Sequence, residues 1–275
     1  AIQFANSQNV KVFLAINTLV TDREISDAMK IVDRAYEAGA AAFIVQDIGL
    51  ARAMKARHEK IVLHASTQTT ATTADDVNAL EKLGFARVVL AREISRAQIK
   101  KIAEVTRIEL EIFVHGALCS SYSGQCLMSS FIGGRSANRG KCAQPCRLPY
   151  TASPFEANEH TAAHSQKRNK SAKKSGVLLS LKDLCLIDYV EELTNLGVAA
   201  LKIEGRMKGE DYVRAVVGAY RAVLDGVILT EKQKKELLSV FDRGGYTDGY
   251  FTGNHEDMYM NTLTNPYEKS EKCEK

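Results

Sequence analysis

The sequence predicts an α/β fold built on a parallel sheet, and three observations carry that expectation. Short apolar runs suited to buried strands alternate with stretches of helical periodicity. Three times the end of a helix passes through a glycine into the next apolar run: Glu37-Ala38-Gly39 into Ala42–Val45, Lys82-Leu83-Gly84 into Arg87–Leu90, and Asn195-Leu196-Gly197 into Ala200–Ile203. Six strands are expected, near residues 11–17, 42–47, 61–66, 87–91, 109–115 and 199–204. A closed (β/α)8 TIM-like barrel needs eight. The sheet is therefore either open or lacks about two N-terminal strands, and an alanine rather than a methionine at position 1 favours the second reading.

Each element has a local reason. Val12 to Ile16 is an unbroken apolar run. Ile25, Met29, Val32 and Tyr36 follow at spacings of four, three and four, one face of a helix. Thr21 and Glu24 fit a capping box at its start, and Gly39 suits the left-handed turn at its end. Residues 116–150 break the alternation and read as a long, cysteine-rich functional loop inserted in the fold. Residues 153–175 are polar, with Lys167, Arg168, Lys170, Lys173 and Lys174 close together. They read as a flexible solvated insertion, with an RNA-contacting arm as the alternative. A helix is expected at 231–241, then a Gly/Tyr-rich stretch. The strand–helix domain runs over 1–253, and 254–275 is a tail or the start of a further domain.

Composition excludes little beyond membrane spans. The chain has 275 residues, 45% hydrophobic and 25% charged, ordinary for a globular protein with one sizeable core. No run approaches the ~18 apolar residues of a spanning helix, and no signal-peptide pattern opens the chain, so the cytoplasm is expected. Thirty-seven basic against 33 acidic residues permit a nucleic-acid partner without demanding one. Oligomeric state is not legible.

Cysteine usage is more informative. Cys119, Cys126, Cys142, Cys146 and Cys185 lie within 67 residues, and Cys273 stands alone in a charged tail. The gaps of six, fifteen, three and thirty-eight residues differ from the paired spacing of zinc fingers. Four thiolates drawn from separate loops are what a cubane iron–sulfur cluster requires. Buried, unligated cysteines are the alternative.

Several longer motifs carry a family resemblance. Glu111-Ile-Phe113-Val-His115-Gly116-Ala117-Leu118-Cys119, followed by Gly124-Gln-Cys126-Leu-Met128-Ser129, resembles the signature of the peptidase U32 family. Arg135 to Arg147, Ser180 to Leu184 and Leu201 to Met207 are similar to that family in the same order. Leu181 departs from it, since relatives often have proline there. The resemblance implies a (β/α) barrel with about two further strands upstream. It also implies one of two activities, collagenase-like proteolysis or oxygen-independent hydroxylation. Some relatives hydroxylate uridine in tRNA or cytidine in rRNA, with prephenate as the associated donor; others act on a quinone precursor and hold a [4Fe–4S] cluster. Carried over, the cluster ligands fall on Cys119, Cys126, Cys142 and Cys185, with Cys146 able to replace Cys142.

Residue chemistry separates the readings. A metallopeptidase H-E-x-x-H is absent, since His255-Glu256 has no second histidine four positions on, and no G-x-S-x-G elbow occurs. Cys119 with His115, four residues apart, offers a Cys–His pair for a peptidase. Barrel chemistry sits at the C-terminal ends of the strands. There the sequence offers Asn17, Gln46-Asp47, His64, Ser66 and Gln68, then Arg92-Glu93, His115, and Lys202, Glu204 and Arg206. His64, Gln68, Arg92 and Arg206 suit an anionic substrate. His115, Glu93, Glu204 and Lys202 suit proton transfer and charge stabilisation. The expected function is an iron–sulfur-dependent RNA hydroxylase with prephenate as donor. A metal-dependent peptidase and a non-catalytic RNA-binding adaptor are the alternatives.

Overall fold

A computed structural model describes residues 1–152, 174–241, 243–256 and 258–260. After a short helix α1 (Ile2–Ser7), strands and helices alternate: β1 (Phe13–Ile16), α2 (Asp22–Glu37), β2 (Ala42–Val45), α3 (Ile48–Arg57), β3 (Leu63–Ala65), α4 (Ala74–Lys82), β4 (Arg87–Val89), α5 (Arg96–Val105) and β5 (Glu109–Gly116). The cysteine-rich segment then carries α6 (Met128–Gly133) and enters an antiparallel hairpin, β6 (Tyr150–Ala152) with β7 (Lys174–Gly176). The last part comprises β8 (Asp183–Cys185), α7 (Val190–Asn195), β9 (Ala200–Ile203), α8 (Glu210–Leu224), α9 (Glu231–Ser239), β10 (Tyr246–Thr247) and α10 (Gly249–Thr252).

The six expected strands are all present and pair in parallel, in the order β1-β2-β3-β4-β5-β9. Among the described residues β1 and β9 each pair with a single strand, so the sheet is open. Besides the hairpin strands β6 and β7, two strands of this sheet escaped the sequence reading. β8 pairs antiparallel with His115 and Gly116 at the end of β5, and β10 runs parallel beside β8. Both are too short, at three and two residues, to carry a periodic signal.

Alternation along the strands divides the sheet into two faces. Phe43 and Val45, Leu63, Leu110 and Ile112 are buried with Met29 and Val32 of α2 and Leu50 and Met54 of α3, which form the core beneath the helices. The opposite face carries Phe13, Ala15, Ile44, His64, Arg87, Glu109, Phe113 and Lys202, which line open cavities, and Glu111, which is buried and bonded to Arg87 and Lys202. The capping box of Thr21 and Glu24 forms as expected, and Gly39, Gly84 and Gly197 all adopt positive φ after their helices. Lys174 and Ser175, expected in the polar insertion, belong to β7 instead; the rest of that insertion, 153–173, and Cys273 lie outside the described residues. Among the described residues no helix is long and apolar enough to cross a membrane.

Candidate functional site

The C-terminal strand ends open into a cavity of about 1190 Å³. β1 delivers Asn17 to it, the turn after β3 delivers Ser66 and Gln68, and the segment after β4 delivers Arg92 and Glu93. β5 supplies Phe113 and leads to Cys119, while β9 leads to Lys202, Glu204 and Arg206. Asp47 has another task. It caps α3 by accepting from Leu50 N–H at 2.8 Å and ties the β1–α2 turn by accepting from Val20 N–H at 3.1 Å.

Arg92 is the electrostatic centre of the cavity. Its guanidinium lies 4.0 Å from the Phe113 ring centroid and 3.5 Å from Glu204 Oε2. Burial pulls its pKa down, against the pull of Glu204, Cys119 and Glu93 in the other direction. Arg92 Nε and Gln68 Oε1 are buried with no hydrogen-bond partner among the described residues. A buried cation with an unused donor favours a ligand that brings an anionic oxygen. Glu204 Oε1 accepts from Arg206 N–H at 2.9 Å, which fixes the carboxylate toward Arg92.

Ser123 couples the cysteine-rich segment to these strand ends. Its N–H and hydroxyl donate to the two oxygens of Glu93 at 2.9 and 2.8 Å, and its Oγ accepts from Arg92 N–H at 3.2 Å. Thr70 Oγ1 donates to Ser123 O at 2.7 Å. The next residue has to be glycine: at φ +77° Gly124 passes so close to Gln68 that an added Cβ would lie 2.4 Å from its carbonyl oxygen.

Beyond this anchor the segment arches over the cavity as an arm. Arg139 donates to Leu19 O at 2.7 Å and to both oxygens of Glu24, reaching the start of α2 on the far side. The Arg139 guanidinium, helped by the Thr21 N–H and hydroxyl, holds the Glu24 carboxyl down at about 2. Arg206 donates to Gly140 O at 3.1 Å. The arm leaves through buried Arg147, whose guanidinium donates to Leu118 O and to Ser180 Oγ, each at 2.7 Å.

Cys119, Cys126, Cys142 and Cys146 all line this one cavity. Burial raises the Cys119 thiol, opposed by Ser121 N–H and Arg92 and reinforced by nearby Cys146 and Cys126. Among the described residues no three His, Cys, Asp or Glu side chains are gathered closely enough to hold a metal ion as they stand. Cys185 is elsewhere. It lies on β8 opposite His115, where its thiol is raised by burial and meets the Tyr220 hydroxyl.

The family model for peptidase family U32 matches residues 1–261. The chain belongs to that family. Among curated relatives, the 23S rRNA 5-hydroxycytidine C2501 synthase of Escherichia coli is 36% identical over 98% of this chain and 38% of its own length. An uncharacterized protease of Methanocaldococcus jannaschii is also 36% identical, over 94% of this chain and 64% of its own. A collagenase of Porphyromonas gingivalis is 31% identical over 91% and 62%. The chain thus spans between about two fifths and two thirds of the length of these relatives.

In this U32 chain the structure corrects the expected position of two rim residues, His115 and His64, and shows a third, Lys202, tied to a partner. His115 is on the helix side of the sheet, not in the cavity. β5 carries a bulge between Phe113 and His115 that shifts the pairing with β9, so the series Glu109, Glu111, Phe113 does not continue to 115. The imidazole sits instead among the rings of Tyr212, Tyr220 and Tyr246. The Cys119–His115 pair of a peptidase reading is therefore not assembled. His64 faces a separate cavity at the N-terminal strand ends, edge-on to Phe13 at 4.9 Å. Lys202 reaches the cavity but is bound to Glu111 at 2.9 Å.

The burial of His115 makes a pH prediction. Burial, with Lys208 nearby, lowers its pKa from 6.5 to about 4. The unfolded chain takes up the proton first as pH falls, so the stabilising effect is intact above pH 6.5 and is lost between there and 4. Urea unfolding of a His115→Gln variant is expected to lose about 2 kcal/mol less stability between pH 7 and 5 than the parent protein. Equal losses in the two would show that His115 is not held neutral.

Among the cavity residues that the sequence reading did not mark as site residues are Tyr122, Ser123, Tyr250 and His255. Tyr122 and Ser123 sit between the motif cysteines, where nothing in their spacing marks a role. Tyr250 and His255 reach the site only because β10 brings the chain back beside β8.

Proposed function

We propose that this chain is the catalytic part of an RNA base hydroxylase that uses an iron–sulfur centre. The observation that carries the reading is the meeting of four cysteines with Arg92, Glu93 and Glu204 around one cavity. Relatives named for hydroxylation of RNA support it, including the tRNA hydroxylation protein P of Escherichia coli, 29% identical over 94% of this chain. The donor set fits a [4Fe–4S] cluster: four thiols from one arm border the same space, and Cys142 is exposed enough to move. Cys119, Cys126, Cys142 and Cys146 would hold it, and it would supply redox or Lewis-acid chemistry at the cavity wall.

The protein groups then have distinct tasks. Arg92 binds a carboxylate of the oxygen donor, for which prephenate is our choice, and Phe113 keeps the guanidinium flat beneath it. Glu204 is the carboxylate placed to accept a proton from the substrate, because Glu93 is fully engaged by Ser123. Gln68 supplies a hydrogen-bond acceptor for a base that has left its stack. Sequential parallel strands with the site at their C-terminal ends are the arrangement of a (β/α) barrel, which further strands on the free edges of β1 and β9 would close. An RNA substrate puts the protein in the cytoplasm.

The test is mass spectrometry of nucleosides from total rRNA and tRNA of a bacterial strain lacking these hydroxylases. Expression of the full-length protein is expected to add a hydroxylated pyrimidine nucleoside, and Arg92→Ala to abolish it. No oxygenated nucleoside, together with gelatin cleavage that survives loss of the cysteines, would move the assignment to the peptidase reading.

A further inference from the structure

The arm over the cavity has two sides of different character. Its inner side contributes Leu127, Met128, Ala137, Asn138 and the cysteines to the cavity wall. Its outer side is apolar and basic. Ser129 is buried and its Oγ accepts from Ala143 N–H at 3.0 Å, which pins one face of α6 inward. Two residues on, about 200° around the helix, Phe131 points away and is 84% exposed, with Ile132 beside it at 62%.

The charge of the arm is one-sided. Residues 116–150 contain four basic and no acidic side chains. Two of the four are committed, Arg139 to Glu24 and Arg147 to the segment's exit. The other two, Arg135 and Lys141, are exposed, form no ion pair among the described residues, and are joined where Arg135 Nε donates to Lys141 O at 3.1 Å. Arg135 N–H also donates to Ser129 O at 3.2 Å, so the chain folds back over the end of α6 and keeps these cations on the same arm as Phe131.

An exposed aromatic ring with cations at hand and no anions in the segment matches a single-stranded polynucleotide: the ring stacks on a base and the cations meet phosphates. We propose that the outer face of this arm, Phe131 with Arg135 and Lys141, docks the single-stranded RNA that flanks the target base. The inference rests on the RNA reading above and adds where the strand lies. A base entering the cavity passes one side of the arm while its neighbour stacks on the other. Tyr122, 69% exposed and also in the cavity wall, marks the edge between the two.

The experiment is fluorescence anisotropy of the full-length protein with a labelled single-stranded RNA of mixed sequence and with its duplex, at several salt concentrations. Phe131→Ala is expected to weaken single-strand binding about tenfold or more and to leave duplex binding little changed. Phe131→Leu is expected to lose as much, and Phe131→Tyr to restore binding, because stacking needs a ring rather than apolar area. The pair Arg135→Ala and Lys141→Ala is expected to lower the slope of log affinity against log salt by about 0.7 per contact. These side chains are exposed, and an unchanged unfolding midpoint shows that each variant is folded. Single-strand binding unaltered in all variants, or restored by leucine, overturns the docking surface while leaving RNA as the substrate. A parent protein that binds neither RNA overturns the underlying reading as well.

Discussion

Cys146→Ala, in full-length protein isolated without oxygen, is expected to lose its iron and sulfide, whereas Cys185→Ala is expected to keep them. Cys146 borders the cavity with Cys119, Cys126 and Cys142, and acts on the Cys119 thiol together with Cys126. Cys185 lies opposite His115 on the helix side of the bulge, with the Tyr220 hydroxyl against its thiol. A cubane needs its thiolates around a single volume, so a cysteine on the far face of a strand cannot serve without moving that strand. Iron, sulfide and the absorption spectrum read the outcome directly. Retention of iron by Cys146→Ala with loss in Cys185→Ala would return the ligand set to the one implied by family resemblance. A parent protein without iron would remove the cluster from the mechanism.

Glu111→Ala is expected to destabilise the protein by about 3–5 kcal/mol, the usual cost of leaving buried charges without their partner. Glu111 is buried on the inner face of the sheet, with Lys202 at 2.9 Å and Arg87 at 3.1 Å on its two oxygens. Burial raises its pKa, but Lys202 and Arg87 outweigh this and hold it below the ordinary glutamate value. Removing the carboxylate leaves Lys202, 5.4 Å from the Phe113 ring centroid, without this partner and Arg87 with Glu109 alone. Denaturant unfolding measures the loss. A change within ~0.5 kcal/mol, the range of an exposed surface substitution, would mean that water already screens this network. Lys202, expected as a catalytic group, is on this view a support that positions the floor of the cavity.

The parallel strand–helix grammar and its punctuation are legible in the amino-acid sequence alone. Apolar runs, helical spacing, the Thr21–Glu24 box and the glycines at positive φ are local features, and local steric and hydrogen-bonding rules are enough to read them. The position of Arg92, Glu93, Glu204 and Arg206 at the strand-end cavity is legible too, because a residue just past a strand has only one end of the sheet to occupy. Tertiary structure decided the rest. A single bulge in β5 reversed the side on which His115 lies, and a one-residue change of register has no signature in composition or periodicity. β8 and β10 exist because β5 and each other offer them backbone partners, not because three or two residues prefer to be strands. Which cysteines share a cavity followed the same rule: Cys119, Cys126, Cys142 and Cys146 border it, and Cys185 does not. Spacing along the chain says how far two thiols can be apart, and only the faces of the folded sheet say which of them share a cavity.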